Sequence, residues 1–202
     1  MKITAIRQQA RRADRYSVFV DGAYSFSLSE SALLESGLHS GQELGREQIK
    51  EYKQLSQDDK LYAQALRYVA MRPRSRWEME FYLQRKGADS PLLTTILNKL
   101  SIVGLLDDTK YAEAFVHDRQ LLRPTSRRKI ILELRKKHIS SEIIERVLPP
   151  EAGVEQASLR QVIGRKRRQT KYQDDQKLMQ YLARQGFGYG DIKAALRVDD
   201  SD

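Results

Sequence analysis

Residues Arg72–Leu100 read RPRSRWEMEFYLQRKGADSPLLTTILNKL, and the spacing inside this stretch returns twice further along the chain. Ser75, Met79, Leu83 and Gly87 are followed by Leu93 and Leu97. Ser126, Ile130, Leu134, His138, Ile144 and Leu148 repeat those intervals without a gap, and so do Asp174, Leu178, Leu182, Gly186, Ile192 and Leu196. Ser126 lies 51 residues after Ser75, and Asp174 lies 48 after Ser126. A nearly constant period of this length marks a repeat architecture, in which each copy is one supersecondary unit stacked on the next. Such arrays present extended surfaces rather than enclosed pockets, so the pattern favours a binding protein.

Each copy reads as three short helices. Ser75 with Glu78 forms a capping box, predicting a helix from Arg76 to a stop at Gly87 with Met79, Tyr82 and Leu83 on one face. Ser90-Pro91 supplies an N-cap and a first-turn proline for the next helix, whose stripe Leu93, Ile96, Leu97 and Leu100 ends before Gly104. Upstream, Leu61, Ala65, Leu66 and Val69 form a stripe that closes before Arg72-Pro73, since the residue before proline is disfavoured in the helical region. In the second copy Arg123-Pro124 stands in register with Arg72-Pro73, and the helix opening at Asp108 (Tyr111, Ala112, Phe115) comes first. In the third, a helix through Val154, Ala157, Leu159, Val162 and Ile163 comes first, and its polar link to Asp174 lacks the Arg-Pro pair.

The start of the chain has another character. A strand is expected around Ile3–Ile6, and Tyr16–Val20 and Ala23–Leu28 alternate on either side of Asp21-Gly22, a two-residue hairpin turn. Strands this few are marginal alone and need helices to dock on: one capped by Ser29 or Ser31 and ended by Gly37, another from about Arg46 into the Leu61 stripe. The polar run Ser56-Gln57-Asp58-Asp59 reads as a loop or a second N-cap opening the first repeat. Asp199, Asp200 and Asp202 read as a frayed acidic tail. The expected division is 1–59 for the β-hairpin and its helices, then three-helix repeats over 60–106, 107–150 and 151–202. The fold class is mainly α, with tandem helix-turn-helix-like repeats forming an elongated, curved body and a small N-terminal β element.

The 202 residues contain no cysteine, which excludes a disulfide framework or thiolate metal site, and no long apolar run. A cytoplasmic location, no membrane contact and a monomer are the expectations. The net charge of +9 is uneven: Lys and Arg balance Asp and Glu at nine each in residues 1–60, exceed them by 17 to 10 in 61–150, and by 10 to 8 in 151–202. An excess gathered in the first two repeats suits a polyanionic partner, though a solvated basic face would look the same.

Arg72-Pro73-Arg74-Ser75 with Glu78 and Leu83, Lys86-Gly87, the Gly104–Asp108 turn with Tyr111-Ala112, Glu133–Lys137, and Tyr181-Leu182 through Gly186-Phe187 together resemble the RecX regulatory family. The resemblance covers about residues 60–197, and the β-hairpin start looks like the N-terminal extension of some members. It implies modulation, most simply inhibition, of the RecA recombinase filament in DNA repair, recombination and the SOS response, without catalysis or cofactor. His138 departs from the family pattern, which places glycine at this helix stop.

Two clusters of positive charge lie at helix starts: Arg72, Arg74 and Arg76, and, in register, Arg123, Arg127, Arg128 and Lys129. Arg135, Lys136 and Lys137 follow on the second of these helices. Helix-start amides add to such a site for phosphate or carboxylate, and these ten residues are the expected RecA or DNA contacts, with the charges of 127–129 and 135–137 on an exposed surface. Arg165–Arg168 reads as helix-end solubilisation, and Trp77 and Phe81 as core. The competing reading is a protein acting directly on DNA, non-specifically or through helix-turn-helix units. Helices 91–100 and 142–148 are poor in base-reading side chains, which disfavours sequence-specific readout, and weak, sequence-indifferent DNA contact is expected. No catalytic constellation is apparent. His39, His117 and His138 fall in separate segments, His117-Asp118 reads as a helix-surface pair, and Gly186–Gly190 as a loop between helices.

Overall fold

The computed structural model describes residues 1–149 and 153–199. They form two compact units: Met1–Pro73 with Met79–Leu105, and Arg74–Glu78 with the chain from Leu106 on.

In the first unit β1 (Ile3–Gln9), β2 (Arg12–Val20) and β3 (Ala23–Ser29) make an antiparallel meander in that order. Asp21 and Gly22 both take positive φ, 49° and 83°, as a two-residue turn matching the strand twist requires. Val18, Val20, Phe26 and Leu28 bury one face of the sheet with Ile3, Leu38, Leu44 and Ile49. The Ser29 hydroxyl accepts from the Ala32 amide to cap α1 (Glu30–Ser36), which stops at left-handed Gly37, as its sequence predicts.

The polar run Ser56–Asp59 is neither loop nor cap. It lies inside α2 (Arg46–Met71), one 26-residue helix that reaches the Arg72-Pro73 stop. Its polar groups serve the sheet instead: Ser56 Oγ donates to the Ser27 carbonyl at 2.6 Å and accepts from the Ser27 amide. Asp59 accepts from the Ser29 amide and hydroxyl, and from the Arg15 guanidinium at 2.8 Å. Arg15, 2 % exposed, also donates to the Ser27 carbonyl and hydroxyl. A buried charge is tolerable only when paired and hydrogen-bonded, and this network meets that condition while holding β3 against α2.

α3 (Arg76–Arg85) and α4 (Ser90–Ile102) follow. The capping box forms: the Glu78 amide donates to Ser75 Oγ, and the Ser75 amide to a Glu78 carboxylate oxygen, both at 3.2 Å. Met79, Leu83, Leu93, Ile96, Leu97 and Leu100 are buried, as are Ala65 and Val69 of α2, and Tyr82 stacks on Tyr68 with ring centroids 4.0 Å apart. The cap of α4 is Asp89 rather than Ser90, accepting from the Leu92 amide at 2.9 Å. A carboxylate at the N-cap also meets the positive end of the helix dipole, and Ser90 and Pro91 open the helix.

The second unit carries α5 (Asp108–Leu121), α6 (Arg127–Arg135) and α7 (Ser141–Val147) of the second repeat. It also carries α8 (Val154–Arg167), a 3₁₀ turn at Thr170–Tyr172, α9 (Asp175–Arg184) and α10 (Tyr189–Asp199) of the third. Each repeat has its own core. Tyr111, Ala112, Val116, Ile130, Leu134, Ile139, Ile144 and Leu148 form one, and Leu159, Val162, Ile163, Leu178, Leu182, Phe187, Ile192 and Leu196 the other. Ser126 and Asp174 cap α6 and α9 through the Lys129 and Lys177 amides. Asp199 is the last residue of α10, while the rest of the expected acidic tail, Asp200 and Asp202, lies outside the described residues.

Candidate functional site

The second and third repeats join through contacts that are in register with those holding the start of α3, the segment Arg74–Glu78 that belongs to the second unit. The Arg76 amide donates to the Asp108 carboxylate at 2.7 Å, and the Arg127 amide to the Glu155 carboxylate at 2.8 Å. In both cases an acidic side chain at the start of one repeat's first helix satisfies the first amide of the preceding repeat's second helix, an amide with no partner within its own helix. Burial pushes the Asp108 carboxyl above its ordinary range, against the opposing pull of the Arg76 amide and guanidinium.

A second contact is chemically reversed between the two places. Lys137 Nζ donates to Glu78 Oε1 at 2.8 Å, and Lys129 Nζ to Gln185 Oε1 at 2.8 Å. Lys129 and Glu78 occupy the same repeat position, as do Gln185 and Lys137. The helix stops meet the cap regions in the same way: a Cβ on Gly186 would collide with the Ser126 hydroxyl, while His138, at φ 57°, lays its ring on Trp77, centroids 4.6 Å apart and planes 12° from parallel.

These contacts sort the ten cations expected at the binding face. Arg74 is 8 % exposed and so is turned inward. Arg127 is half-buried, donates from Nη2 to the Leu148 carbonyl at 2.9 Å, and has its Nε enclosed without an acceptor among the described residues. Lys129 and Lys137 are occupied as above. The expectation that 127–129 and 135–137 are simply exposed charges therefore fails for Arg127, Lys129 and Lys137, because each reaches a partner supplied from elsewhere in the chain. Arg72, Arg76, Arg123, Arg128, Arg135 and Lys136 are exposed. Arg72 donates to the Pro73 carbonyl, while the side chains of Arg128 and Arg135 on α6, and of Lys136 at its C-cap, make no hydrogen bond or ion pair with the described residues.

Three further readings change. Phe81 is 49 % exposed rather than core, with the Arg85 guanidinium 5.8 Å from its ring centre, and Trp77 is only half-buried. The run Arg165–Arg168 does more than solvate a helix end: Arg165 reaches the Leu122 carbonyl, Lys166 lies over Tyr172 and Tyr181, and Arg167 pairs with Asp175. His117 and Asp118 are exposed on α5, and among the described residues no three His, Asp or Glu side chains gather as a metal-binding group. No described helix is long and apolar enough to cross a membrane.

An open groove of about 460 Å³ runs between α6 and the end of α9, lined by Arg128, Lys129, Leu132, Lys136, Arg184 and Phe187. Leu132 and Arg184 are absent from the sequence-based expectations. The usable signal was in register: Phe81 and Leu132 occupy one repeat position, are equally exposed at 49 %, and are followed four residues on by Arg85 and Lys136.

Comparison with known proteins accounts for this plan. Family descriptions match in order along the chain: the regulatory protein RecX N-terminal domain over residues 1–45, then the first, second and third RecX three-helix domains over 62–100, 107–148 and 154–196. A regulatory protein RecX from Bacillus licheniformis is 30 % identical over 205 residues, covering 98 % of this chain and 77 % of that protein. One from Listeria monocytogenes is 30 % identical over 200 residues, 96 % of this chain and 74 % of the relative. A third, from Halalkalibacterium halodurans, is 33 % identical over 150 residues, and the match spans only 56 % of its length. The crystal structure of a regulatory protein RecX superposes with a TM-score of 0.73 at 27 % identity, covering 97 % of this chain and 98 % of that one. The chain belongs to the RecX family of regulatory proteins.

Proposed function

We propose that this chain is a non-enzymatic regulator that binds the RecA recombinase filament on DNA and inhibits its ATPase and recombinase activities, in DNA repair, recombination and the SOS response. The observation that carries the reading is α6, which turns Arg128, Arg135 and Lys136 outward without partners among the described residues, in the part of the chain with the largest basic excess. Arg72, Arg76 and Arg123, also exposed, are further candidate contacts; Arg74, Arg127, Lys129 and Lys137 support the fold. Repeated units suit a repetitive filament, since several modest contacts made together gain avidity. Contact with bare DNA is weak, indifferent to sequence and salt-sensitive, because phosphate neutralisation releases counterions. The protein acts in the cytoplasm as a monomer and needs no cofactor; its three-helix repeats run over 60–106, 107–150 and 151–202, the first opening inside α2 rather than at a break in the chain.

The test is RecA-dependent ATP hydrolysis on single-stranded DNA. Reversal of Arg128, Arg135 and Lys136 to Glu should raise the concentration for half-inhibition about tenfold, since charges of this kind steer and hold a partner. Reversal of exposed Lys50 and Lys53 in the charge-balanced N-terminal segment should do much less. Equal inhibition by both variants and the parent would remove the α6 face from the interaction. Direct action on DNA would instead appear as tight binding to one duplex sequence that survives high salt.

A further inference from the structure

We propose that the groove between α6 and α9 is a docking site for an acidic protein segment carrying one large apolar side chain. This deepens the reading above by naming the chemistry that this face of α6 meets, and it is tested without RecA so that the two can fail separately.

Four cations line the groove, Arg128, Lys129, Lys136 and Arg184. Its one carboxylate, Glu133, is already paired with Arg119 at 2.8 Å. The unbalanced charge calls for an anionic ligand. Lys129 is held in place by Gln185 Oε1 and the Arg184 carbonyl, so part of the positive field is fixed before anything binds. The apolar part of the lining is Leu132, half exposed, and Phe187, 4 % exposed. Leu132 has Arg128 one turn before it and Lys136 one turn after, on the same helix face. A ligand seated there covers an aliphatic side chain and meets a cation on either side.

That combination separates the two classes of polyanion. A sugar-phosphate backbone has nothing apolar to set on Leu132, and an aliphatic side chain offers no ring on which a base can stack. An acidic peptide with a Phe or Leu in its middle satisfies both requirements, with an apolar anchor in a pocket and a charged rim. The recurrence of an equally exposed apolar residue followed by a cation, Phe81 with Arg85 on α3, is what a ligand-facing repeat position would leave behind.

The experiment titrates the full-length protein into the fluorescently labelled peptide Asp-Glu-Asp-Phe-Asp-Glu-Asp, its Phe→Ser counterpart, and a labelled oligothymidine, following anisotropy. The Phe peptide should bind with a Kd of about 10–100 µM, and the Ser peptide about tenfold more weakly. Leu132→Ser should weaken the Phe peptide about tenfold without changing helicity, and should alter oligothymidine affinity less than about twofold. Arg128→Glu with Lys136→Glu should weaken all three probes. Absence of saturation by the Phe peptide up to about 1 mM, equal binding of the two peptides, or indifference of the Phe peptide to Leu132→Ser each overturns the proposal. A parallel loss of oligothymidine and peptide binding in Leu132→Ser assigns the groove to nucleic acid instead.

Discussion

The imidazole of His138 lies flat on the indole of Trp77, 4.6 Å between ring centres, and His138 holds a left-handed backbone at φ 57° where the equivalent positions of the neighbouring repeats are Gly87 and Gly186. A side chain with a Cβ is costly in that conformation, and the stacked ring is the compensation the structure offers. A double-mutant cycle with Trp77→Ala and His138→Asn should give a coupling of about 0.5–1.5 kcal/mol in denaturant unfolding. His138→Gly alone should change stability by less than about 1 kcal/mol, since relief of backbone strain offsets the lost stack. A coupling near zero would mean the rings merely lie beside each other.

Asp108 provides a pH signature. Burial raises its pKa in the folded chain above the ordinary value of 3.8, so folding favours the protonated acid. Its contribution is fully present below the unfolded value and is lost as pH rises through the folded one. Asp108→Asn keeps an acceptor for the Arg76 amide and removes the charge. The variant should gain on the parent in thermal midpoint as pH rises from below the ordinary value of 3.8 through the raised value of the folded chain, then keep a constant advantage. A parent that outlasts it at pH 7 would show that the carboxylate charge stabilises the start of α3.

Asp59 binds the sheet to α2. Asp59→Ala leaves the Arg15 guanidinium, 2 % exposed, without its counter-ion and should cost about 3–5 kcal/mol, read as a lowered denaturant midpoint. Asp58→Ala, whose half-buried carboxylate accepts from Gln54 of the same helix and from no other side chain among the described residues, should cost less than about 0.5 kcal/mol. Equal effects from the two substitutions would argue against a specific role for the buried pair.

Neighbouring cations on α6 and its exit should separate by function. Lys137→Glu sets like charges together at Glu78, whose side chain is 8 % exposed, and should destabilise by about 1–3 kcal/mol. Arg135→Glu with Lys136→Glu should stay within about 0.5 kcal/mol of the parent and, on the proposed function, should weaken inhibition of RecA. Comparable unfolding curves for both variants would return Lys137 to the set of exposed charges.

What could be read from sequence was what is decided locally. Caps at Ser75, Ser126 and Asp174, the stops at Gly87 and Gly186, and the apolar stripes depend on residues a few places apart, so period and pattern were enough to draw the helices. Ser56–Asp59 was misread because polar residues inside a helix look like a break until the partner is known, and Arg15 lies 44 residues earlier. The same distance effect blurred the candidate site: Lys137 finds Glu78 across 59 residues and Lys129 finds Gln185 across 56. Sequence spacing showed where cations gather and was silent on which of them the fold consumes.

The carboxylates of Asp108 and Glu155 have a kinetic consequence. Because each closes the first amide of a helix in the preceding repeat, the Arg76 and Arg127 amides are protected from solvent exchange only while the following segment is docked. Their exchange rates therefore report opening of the next repeat rather than fraying of their own helices. Two backbone protons, resolved by NMR, would record whether the array loosens one unit at a time or all together when a partner arrives.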